Sequence, residues 1–430
     1  MKLALLGYGL ETKSVEKYFS SHYQDVEIDI FDGETPAEFA KKDYSPYDII
    51  FRSPSIPPLH LPNEQTVTRY FFDHCPRKII GVTATKGKGT ICSFIKALLD
   101  ADHQDAYLVG NIGTPALDIL DQLTPNSVVV YELSSFQLWD LNKSPHISVI
   151  GHLEPDHLNV HKDYQDYLTA KSHITKYQTA DDYCIFYKNN QTSTEIAENT
   201  KATKIAYPFT IPSDVESAIT LPGRHNKENA IAAIAAIACF KNISPSEYLS
   251  ANKSAIIAGL ESFHGLPHRL EFIRELNKVK YYDDNFSTNP SSTKVAIQSF
   301  PRTNLVLILG GRDKTAYQDL EEIYNLTITP SVKEVILIGE SGHELARRYT
   351  DNRFRIASNL RAAVTAARYE AELLQSEYPS RETIVLMSPA AASFDMFKNV
   401  YDRGAKYKDL VMSMPVTPST PSSSTPSSEI

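Results

Sequence analysis

The chain has 430 residues, a formal net charge of −9, 42% hydrophobic residues and 22% charged residues. This length predicts two or three domains of an ordinary globular protein, and the acidic balance argues against a general role in binding nucleic acid or membrane surfaces. The four cysteines form no CxxC pair, which disfavours a zinc site or a disulfide framework. No apolar run is long enough to span a membrane, so we expect a cytoplasmic protein in a reducing compartment.

The N-terminal segment, 1–77, alternates strand-like and helix-like runs, which is typical of an α/β domain. Its strand-like runs are Lys2–Leu6, 26–31 and 47–51. Gly7 and Gly9 follow the first strand and suggest a dinucleotide site, but Thr12 stands where that fingerprint has its third glycine. We therefore predict a Rossmann-like domain that does not bind NAD.

A glycine-rich turn, Gly81-Val-Thr-Ala-Thr-Lys-Gly-Lys-Gly-Thr90, joins a strand-like run to a helix-like one. Such a turn directs backbone N–H groups and the helix dipole at one point, which suits a phosphate chain. Lys88 would reach the β- and γ-phosphates, and the hydroxyl of Thr90 could bind Mg²⁺. Gly89 separates these two residues, which departs from the usual spacing. Nucleotide binding is nevertheless a better interpretation than a simple turn.

Further polar groups follow the strands of the second segment, 78–265, at the edge where ligands of α/β sheets gather. Glu132 ends one strand-like run and could bind Mg²⁺, or it could be a solvated residue at a helix start. The next strand is followed by a sequence dense in possible ligands: His152, Asp156, His157 and His161. Together they could suggest zinc, but their position beside a phosphate loop favours Mg²⁺ for one or two of them.

Other segments carry residues whose roles the local sequence leaves open. Lys171 would by itself be a solvated surface charge, and Asn111 would be a turn residue. The entry of an Ala-rich helix, predicted to be buried, is marked by Arg224, His225, Asn226 and Asn229. Arg269 lies where the third segment begins and is suited to a phosphate across a domain cleft.

The third segment, 266–414, again alternates strands and helices, so we expect another open Rossmann-like sheet. The predicted fold is therefore α/β with three domains, in which 78–265 forms a central phosphate-loop ATPase-type domain with a parallel sheet. The remainder, 415–430, is rich in Pro, Ser and Thr and is expected to be a disordered tail. No coiled coil is visible, so we expect a monomer.

Together, these segments resemble the Mur ligase family of ATP-dependent amide-bond-forming enzymes over nearly the whole chain except the tail. The resemblance is carried by Thr85-Lys-Gly-Lys-Gly-Thr90, by His225-Asn226 with Asn229, and by Pro267-His-Arg269. The members that add D-glutamate to UDP-N-acetylmuramoyl-L-alanine are most similar at Asn111-Ile-Gly113, at Glu132-Leu-Ser-Ser-Phe-Gln-Leu138, and at 388–395. The resemblance implies ATP and two Mg²⁺ ions as cofactors, and a role in cytoplasmic synthesis of peptidoglycan precursors.

The resemblance also implies roles for individual residues. The ATP phosphates and the adenine nucleotide would be bound by Thr85, Lys86, Gly87, Lys88, Gly89, Thr90, Asn226, Arg269 and Asp284. Mg²⁺ would be bound by Thr90, Glu132, His157 and Lys171. The muramoyl-alanine substrate would contact Asn111 and Ser134, and D-glutamate would meet Thr288, Lys314, Ser393 and Phe394. The residues implied to be catalytic are Lys88, His157 and Lys171.

The implied reaction begins when the alanine carboxylate attacks the γ-phosphate of ATP, which gives an acyl phosphate and ADP. The amine of D-glutamate then attacks the activated carbonyl, and phosphate leaves. In the family, the lysine equivalent to Lys171 is carbamylated and gives an extra metal-bound carboxylate. Carbamylation requires a neutral amine, so we expect Lys171 to be desolvated and its pKa to be lowered.

The chain departs from the family pattern at four positions. Phe286 stands where a lysine is typical, and Val400 replaces an aromatic residue near the implied amino-acid site. Glu34 stands where an arginine is common, and Glu11 lies near the implied diphosphate. An acidic group facing a diphosphate is unfavourable, so these two positions predict a remodelled nucleotide-sugar site.

Two other functions stay open on the sequence alone. A folylpolyglutamate synthetase has a similar phosphate loop, but those enzymes begin with the ATPase domain and lack a segment like 1–77. A non-catalytic nucleotide-binding scaffold would not require Lys88, Glu132, His157 and Lys171 together.

Overall fold

The computed structural model describes residues 1–76 and 78–416. The chain divides into two compact units, one formed by Met1–Thr220 with His225–Phe263, the other by Leu221–Arg224 with the chain from His264 onward. Three sheets built mainly from parallel strands confirm the predicted α/β class. The expected tail at 415–430 lies, apart from its first two residues, outside the described residues.

The first sheet is built from a short segment that alternates strands with helices. Its elements are β1 (Lys2–Leu6), α1 (Leu10–His22), β2 (Glu27–Phe31), α2 (Pro36–Phe39), β3 (Ile49–Arg52), β4 (Glu64–Gln65) and α3 (Val67–His74). The strands are parallel in the order β2-β1-β3-β4. The last four residues of β1 are buried, as expected of a strand covered on both faces.

The second sheet carries the glycine-rich turn. Its segment contains β5 (Ile79–Thr83), α4 (Lys88–Ala101), β6 (Ala106–Gly110), a 3₁₀-helix (Ala116–Gln122), β7 (Val128–Glu132), α5 (Ser135–Leu138), β8 (Ile147–Ile150), α6 (Tyr164–Lys176), β9 (Tyr183–Tyr187), α7 (Gln191–Glu198), β10 (Thr203–Tyr207), α8 (Ser213–Ser217), α9 (Arg224–Phe240), α10 (Pro245–Ala251) and α11 (Lys253–Ser262). The parallel strand order is β10-β9-β8-β5-β7-β6, and β5, β7 and β8 are buried at every residue. The Ala-rich α9 is buried over most of its length, as its composition predicts.

The first two sheets share one hydrophobic core, which explains why they fall in one compact unit. Leu5 and Phe51 of the first sheet belong to the same buried cluster as Val129 and Tyr131 of the second. The ring of Phe71 on α3 lies 5.7 Å from the ring of Tyr131, edge to face. The predicted domain boundary at 77 therefore falls inside a compact unit, and the three-domain division stays a prediction.

The third sheet forms the core of the second unit. Its elements are β11 (Glu271–Leu276), β12 (Val279–Asp283), α12 (Pro290–Gln298), β13 (Asn304–Leu309), α13 (Leu320–Thr327), β14 (Val332–Leu337), α14 (Gly339–Arg348), β15 (Phe354–Ile356), α15 (Leu360–Glu377), β16 (Thr383–Met387) and α16 (Val400–Met412). The strand order is β11-β12-β16-β13-β14-β15, parallel except for the β11–β12 pair. Separate clusters cover its two faces, as in a doubly wound fold. In the part of the chain that the structure describes, no helix combines the length and apolar character needed to cross a membrane.

Candidate functional site

In the first unit, the polar residues singled out from the sequence converge at one edge of the second sheet. β8, β5 and β7 are neighbours and run parallel, so their carboxyl ends lie side by side. The glycine-rich turn follows β5, Glu132 ends β7, and the segment containing His157 follows β8. This is the edge at which open α/β sheets bind ligands, so the strand order brings these residues to one place.

The turn after β5 leads directly into the start of α4. Gly87 is the N-cap of α4, has a φ of +88° and makes no side-chain capping hydrogen bond. A Cβ at this position would lie 3.0 Å from Oδ1 of Asn229, which accounts for the glycine. Nζ of Lys88 donates to the carbonyl oxygens of Ala84 (2.9 Å) and Thr85 (3.2 Å), so the amine lies against the turn. The backbone geometry is that of an anion-binding helix start.

Around this turn, the other residues assigned to the nucleotide differ in exposure. Lys86 is exposed, whereas Gly89 and Thr90 are partly buried in the first turn of α4. Thr85 is 6% exposed, and its Oγ lies 2.8 Å from the hydroxyl of Tyr167. The Thr85 hydroxyl is therefore part of the support of the turn.

Asn226 on α9 is brought to the same turn through its neighbour Asn229. Nδ2 of Asn229 donates to Oδ1 of Asn226 at 3.5 Å, and Asn229 packs against Gly87. Asn226 is 6% exposed. The start of α9 thus lies beside the phosphate loop, as its implied role in nucleotide binding requires.

Lys171 on α6 is buried behind the turn. It is 1% exposed, and Nζ donates to Oγ1 of Thr83 and to the carbonyl of Ala84, both at 3.0 Å. Burial, and then the charge of Lys88, hold the pKa of Lys171 well below its usual value, while Glu132 acts in the opposite direction. The structure therefore confirms the expected desolvated lysine and its lowered pKa.

Glu132 and His157 complete the candidate metal site. Glu132 is 4% exposed, and Nδ2 of Asn111 donates to its Oε1 at 2.9 Å. His157 has a φ of +54°, and its ring lies 4.9 Å from the ring of Phe136. The side chain of His157 is 48% exposed, and its partial desolvation lowers its pKa, which favours the neutral imidazole that a metal ion needs. Asn111, assigned to the muramoyl substrate, is thus in contact with the candidate metal ligand.

His161, one of the four possible zinc ligands, is turned into the protein. Its Nδ1 lies 3.0 Å from a carboxylate oxygen of Asp166, and its Nε2 lies 3.0 Å from Oγ of Ser135. It is 2% exposed. Both ring nitrogens are occupied by these contacts, so His161 supports the loop rather than joining a zinc site with His157.

Ser134 lies at the start of α5 and is linked through Gln137 to Glu11 of α1. The hydroxyl of Ser134 and the side chain of Gln137 form a capping box. Nε2 of Gln137 donates to Oε1 of Glu11 at 2.5 Å, and Oε2 of Glu11 is buried with no hydrogen-bond partner. Burial raises the pKa of Glu11 to about 7. The sequence reasoning missed this contact, which gives the acidic residue a partner within the protein.

Glu34, the other acidic departure, has a cationic partner. Nζ of Lys42 lies 2.7 Å from its Oε1. This ion pair offsets the negative charge at the position where the family commonly has an arginine.

In the second unit, three loops that follow neighbouring strands carry the residues assigned to D-glutamate. Thr288 follows β12, Lys314 follows β13, and Ser393 and Phe394 follow β16. Nζ of Lys314 donates to the carbonyl and the hydroxyl oxygen of Thr288, both at 3.3 Å. Ser393 is 2% exposed, whereas the side chain of Phe394 is 69% exposed. The structure brings Thr288 and Lys314 into direct contact.

The residues assigned to the nucleotide in this unit lie on the loop after β12 and just before β11. Asp284 is buried and accepts hydrogen bonds from the hydroxyl of Ser388 (2.7 Å) and the amide of Leu270 (3.2 Å). Burial raises its pKa to about 7. Arg269 is exposed, and its guanidinium lies 5.2 Å from the ring centre of Phe286.

Contacts in the structure explain the departure at Phe286 but not the one at Val400. Phe286 packs edge to face against Tyr401, with 5.2 Å between ring centres, and also lies under Arg269. An aromatic pair therefore occupies the place for which a lysine was expected. Nothing in the structure explains the valine at position 400.

Two parts of the chain match models of known families. Residues 82–216 match the Mur ligase middle domain, and residues 268–390 match the Mur ligase glutamate ligase domain. A curated relative from Acetivibrio thermocellus, named UDP-N-acetylmuramoylalanine--D-glutamate ligase, is 31% identical over 402 residues, which cover 86% of this chain and 83% of the relative. The chain belongs to the Mur ligase family. A relative of the same name from Clostridium kluyveri is 29% identical over 461 residues, which cover 96% of this chain and 97% of the relative.

Solved structures with a similar fold have much lower sequence identity to this Mur ligase. Folylpolyglutamate synthase from Mycobacterium tuberculosis, complexed with ADP, has a TM-score of 0.58 and 16% identity, and covers 80% of this chain and 93% of its own. UDP-N-acetylmuramate-alanine ligase MurC from Thermotoga maritima has a TM-score of 0.58 and 16% identity, and covers 96% and 99%. Likeness at this level shows the fold alone, and it agrees with the α/β architecture described above.

Proposed function

We propose that this Mur ligase uses ATP to add D-glutamate to UDP-N-acetylmuramoyl-L-alanine, in cytoplasmic synthesis of peptidoglycan precursors. Its family and the shared name of its relatives make it an ATP-dependent amide ligase. The structural observation that carries the proposal is the buried Lys171, whose amine lies behind the phosphate loop and within the field of Lys88 and Glu132. The field of Glu132 offsets only part of the cost of burying this amine, so its presence beside this loop indicates catalysis rather than nucleotide binding alone.

The first unit would activate the alanine carboxylate. Lys88 would offset the charge that builds on the transferred phosphoryl group while the carboxylate attacks it. The donor set of Thr90, Glu132 and His157 fits Mg²⁺, because Glu132 is a buried carboxylate held by Asn111 and His157 favours its neutral form. Lys171 would join this set only after carbamylation, which would convert its amine into a carboxylate donor. When bound, Mg²⁺ would neutralise phosphate charge and hold the oxygens in place.

The second unit would hold the amino acid. Lys314 and Thr288 form a cationic and hydroxyl pair suited to one carboxylate, and Ser393 with the Phe394 backbone would meet the other. Lys314 is exposed, but partial desolvation lowers its pKa and Arg403 acts in the same direction, so a bound carboxylate would gain from both cations. The amine of D-glutamate attacks the acyl phosphate, the amide bond forms, phosphate leaves with the bonding electrons, and the amine loses a proton.

A folylpolyglutamate synthetase remains the second candidate, because one such enzyme shares the fold over 80% of this chain. The relatives at about 30% identity favour the first candidate. We also propose a monomer that works in the cytoplasm, since its expected substrates are nucleotide-linked and its four cysteines form no CxxC pair.

The proposal is tested by ATP-dependent phosphate release with UDP-N-acetylmuramoyl-L-alanine and a panel of amino acids that includes D- and L-glutamate. Turnover that requires D-glutamate is expected, and turnover with a folate and L-glutamate would instead favour the second candidate. Lys88→Met should lower kcat by about 100-fold or more, since it removes a cation from the transferred phosphoryl group. The control is Lys96→Met on the same helix, because Lys96 is paired with Asp100 at the surface. No turnover with any acceptor, despite ATP binding, would contradict catalysis.

A further inference from the structure

Arg403 on α16 is a fully buried cation whose guanidinium contacts only neutral acceptors. Its side chain is 0% exposed. Nε donates to Oδ1 of Asn285 (2.6 Å), and Nη2 donates to the carbonyl of Asn285 (3.0 Å). Nη1 donates to the carbonyls of Ala391 and Ala392, each at 3.2 Å, and Nη2 shares the carbonyl of Ala391. Across residues 1–76 and 78–416, no carboxylate forms an ion pair with this guanidinium.

Burying a guanidinium without a carboxylate partner is costly, and the cost must be offset by well-placed acceptors. Burial lowers the pKa of Arg403 to about 10, while the more distant charges of Asp395 and Asp283 act in the opposite direction, so the side chain is still charged at neutral pH. The planar fork of five N–H donors explains why arginine, rather than lysine, can bind several carbonyls at once. Arg403 therefore links pieces of backbone that would otherwise leave buried oxygens without partners.

These pieces belong to the loops that carry the amino-acid site. We name the loops the first loop (284–288), the second loop (310–314) and the third loop (388–394). Arg403 binds the first loop through Asn285 and the third loop through Ala391 and Ala392. The first loop contains Thr288, the third contains Ser393, and both residues are assigned to D-glutamate.

The second loop is joined to the third loop by backbone hydrogen bonds at Ala392, which is also an acceptor for Arg403. The amide of Arg312 donates to the carbonyl of Ala392 (2.8 Å), and the amide of Ala392 donates back to Arg312 (3.2 Å). Gly311 has a φ of +155°, and a Cβ there would lie 2.2 Å from the Ala392 carbonyl oxygen and 3.1 Å from Nη1 of Arg403. Only glycine allows this approach, so the loop that carries Lys314 is packed directly on the Arg403 contact.

We infer that Arg403 is a positioning residue that holds the three loops together and thereby places Thr288, Lys314 and Ser393 around the amino-acid substrate. The inference rests on the proposed function for the identity of that substrate. Arg403 itself is buried and does not touch the substrate. It acts through Asn285 and the third loop, and it lies on the buried stripe of α16 with Tyr407 and Val411, where an apolar residue would be expected.

The test replaces the branched guanidinium of Arg403 by the single amine of a lysine, which keeps the positive charge. Arg403→Lys cannot reach Asn285, Ala391 and Ala392 together, so the loops should lose their common support. We expect the KM for D-glutamate to rise between about 10- and 100-fold, because small misplacements of binding groups cost rate and affinity steeply. The KM values for ATP and for UDP-N-acetylmuramoyl-L-alanine should change less than about twofold. An equal rise in all three KM values, or no change for D-glutamate, would overturn the inference.

Two controls separate positioning from general damage. Arg368→Lys changes another buried arginine of the same unit, which pairs with Glu372 on α15, and it should lower stability without altering the KM for D-glutamate. Asn285→Ala changes the other partner of the contact, because it removes the oxygen that accepts from Nε of Arg403. It therefore tests the same contact if Arg403→Lys does not fold. It should raise the KM for D-glutamate in the same direction.

Hydrogen exchange of the full chain gives a readout that does not depend on catalysis. Backbone amides of the second and third loops should exchange faster in Arg403→Lys than in the wild type, whereas those of β13 and β16 should not. Unchanged exchange in both loops would overturn the inference even if the wild type proves to be a D-glutamate ligase. Absence of wild-type turnover with faster exchange in the variant would refute the proposed function and leave the placement of the loops supported.

Discussion

Replacing Lys171 by methionine asks whether the buried amine serves catalysis or stability. Methionine has a similar length and removes only the polar end of the side chain. Nζ makes two hydrogen bonds of 3.0 Å, to Oγ1 of Thr83 and to the carbonyl of Ala84. Both acceptors keep another partner in the variant, because the Thr83 hydroxyl donates to Leu133 and the Ala84 carbonyl accepts from Lys88. The substitution therefore leaves neither group unsatisfied.

The expected change in the free energy of unfolding follows from two opposing effects. Loss of two hydrogen bonds destabilises the folded state by roughly 2 kcal/mol. Removing the amine also removes the cost of burying it, which stabilises the folded state. This cost is reflected in the lowered pKa of Lys171, because each pKa unit corresponds to about 1.4 kcal/mol. We therefore expect the net change at neutral pH to be less than about 2 kcal/mol, in either direction. Meanwhile kcat/KM should fall by about 100-fold or more, because a group proposed to bind the metal ion is lost.

The pH dependence has a definite sign. Between the lowered folded pKa of Lys171 and its ordinary unfolded value, the unfolded state binds more protons, so wild-type stability rises with pH. Lys171→Met lacks this titration, so the wild type should gain stability relative to the variant as the pH rises toward 10. Urea unfolding followed by circular dichroism measures the stability, and phosphate release measures the activity.

The control for this experiment is Lys176→Met, which changes an exposed lysine on the same helix. Carbon-13 NMR with labelled bicarbonate should show a carbamate signal in the wild type and in Lys176→Met, and none in Lys171→Met. A Lys171→Met enzyme with more than about a tenth of wild-type activity would refute the catalytic role. A loss of more than about 4 kcal/mol of stability would show that the amine is mainly structural.

Two further substitutions test contacts around this site. Asn111→Ala frees the Glu132 carboxylate that Asn111 holds at 2.9 Å, so half-maximal activity should require about 10- to 100-fold more Mg²⁺ in a metal titration; an unchanged requirement would contradict the positioning of Glu132. Glu11→Gln removes a carboxyl group whose pKa is about 7 in the folded protein and ordinarily 4.5. Because the folded state holds this proton longer, wild-type stability falls as the pH rises from about 4.5 to 7. Unfolding curves should therefore show Glu11→Gln more stable than the wild type by about 3 kcal/mol at pH 8 and nearly equal at pH 4.5, and an equal difference at both values would refute the assignment.

Much of the first-unit site followed from the order of elements along the chain. A glycine-rich turn between β5 and α4, and a carboxylate at the end of β7, predict residues at one edge because parallel strands end on the same side. The local sequence around Lys171 predicted only a solvated charge. Lys171 is buried because it lies on the face of α6 that packs into the protein. The resemblance to a family, rather than helical periodicity, identified it as a candidate site residue.

Two charged residues, Glu11 and Arg403, have partners that the sequence did not predict. The resemblance placed Glu11 near a diphosphate, which stays a prediction, but it gave no sign that the carboxyl group meets Gln137, 126 residues away. Arg403 was missed although its spacing from Tyr407 and Val411 places it on the buried stripe of α16. A charged residue on an apolar stripe is a usable signal, but its partners cannot be found without the fold, because Asn285 is 118 residues away.

The sequence by itself determined the α/β class, the alternation of strands and helices, the glycine-rich turn between β5 and α4, and the family. These depend on periodicity and on motifs that are contiguous in the chain, so they can be recognised locally. The tertiary structure alone decided which charges are buried and what satisfies them, namely Lys171 behind the phosphate loop, Glu11 against Gln137, and Arg403 among three loops. Burial and hydrogen bonding join residues far apart in sequence, and the cost of a buried charge depends on all of those neighbours at once.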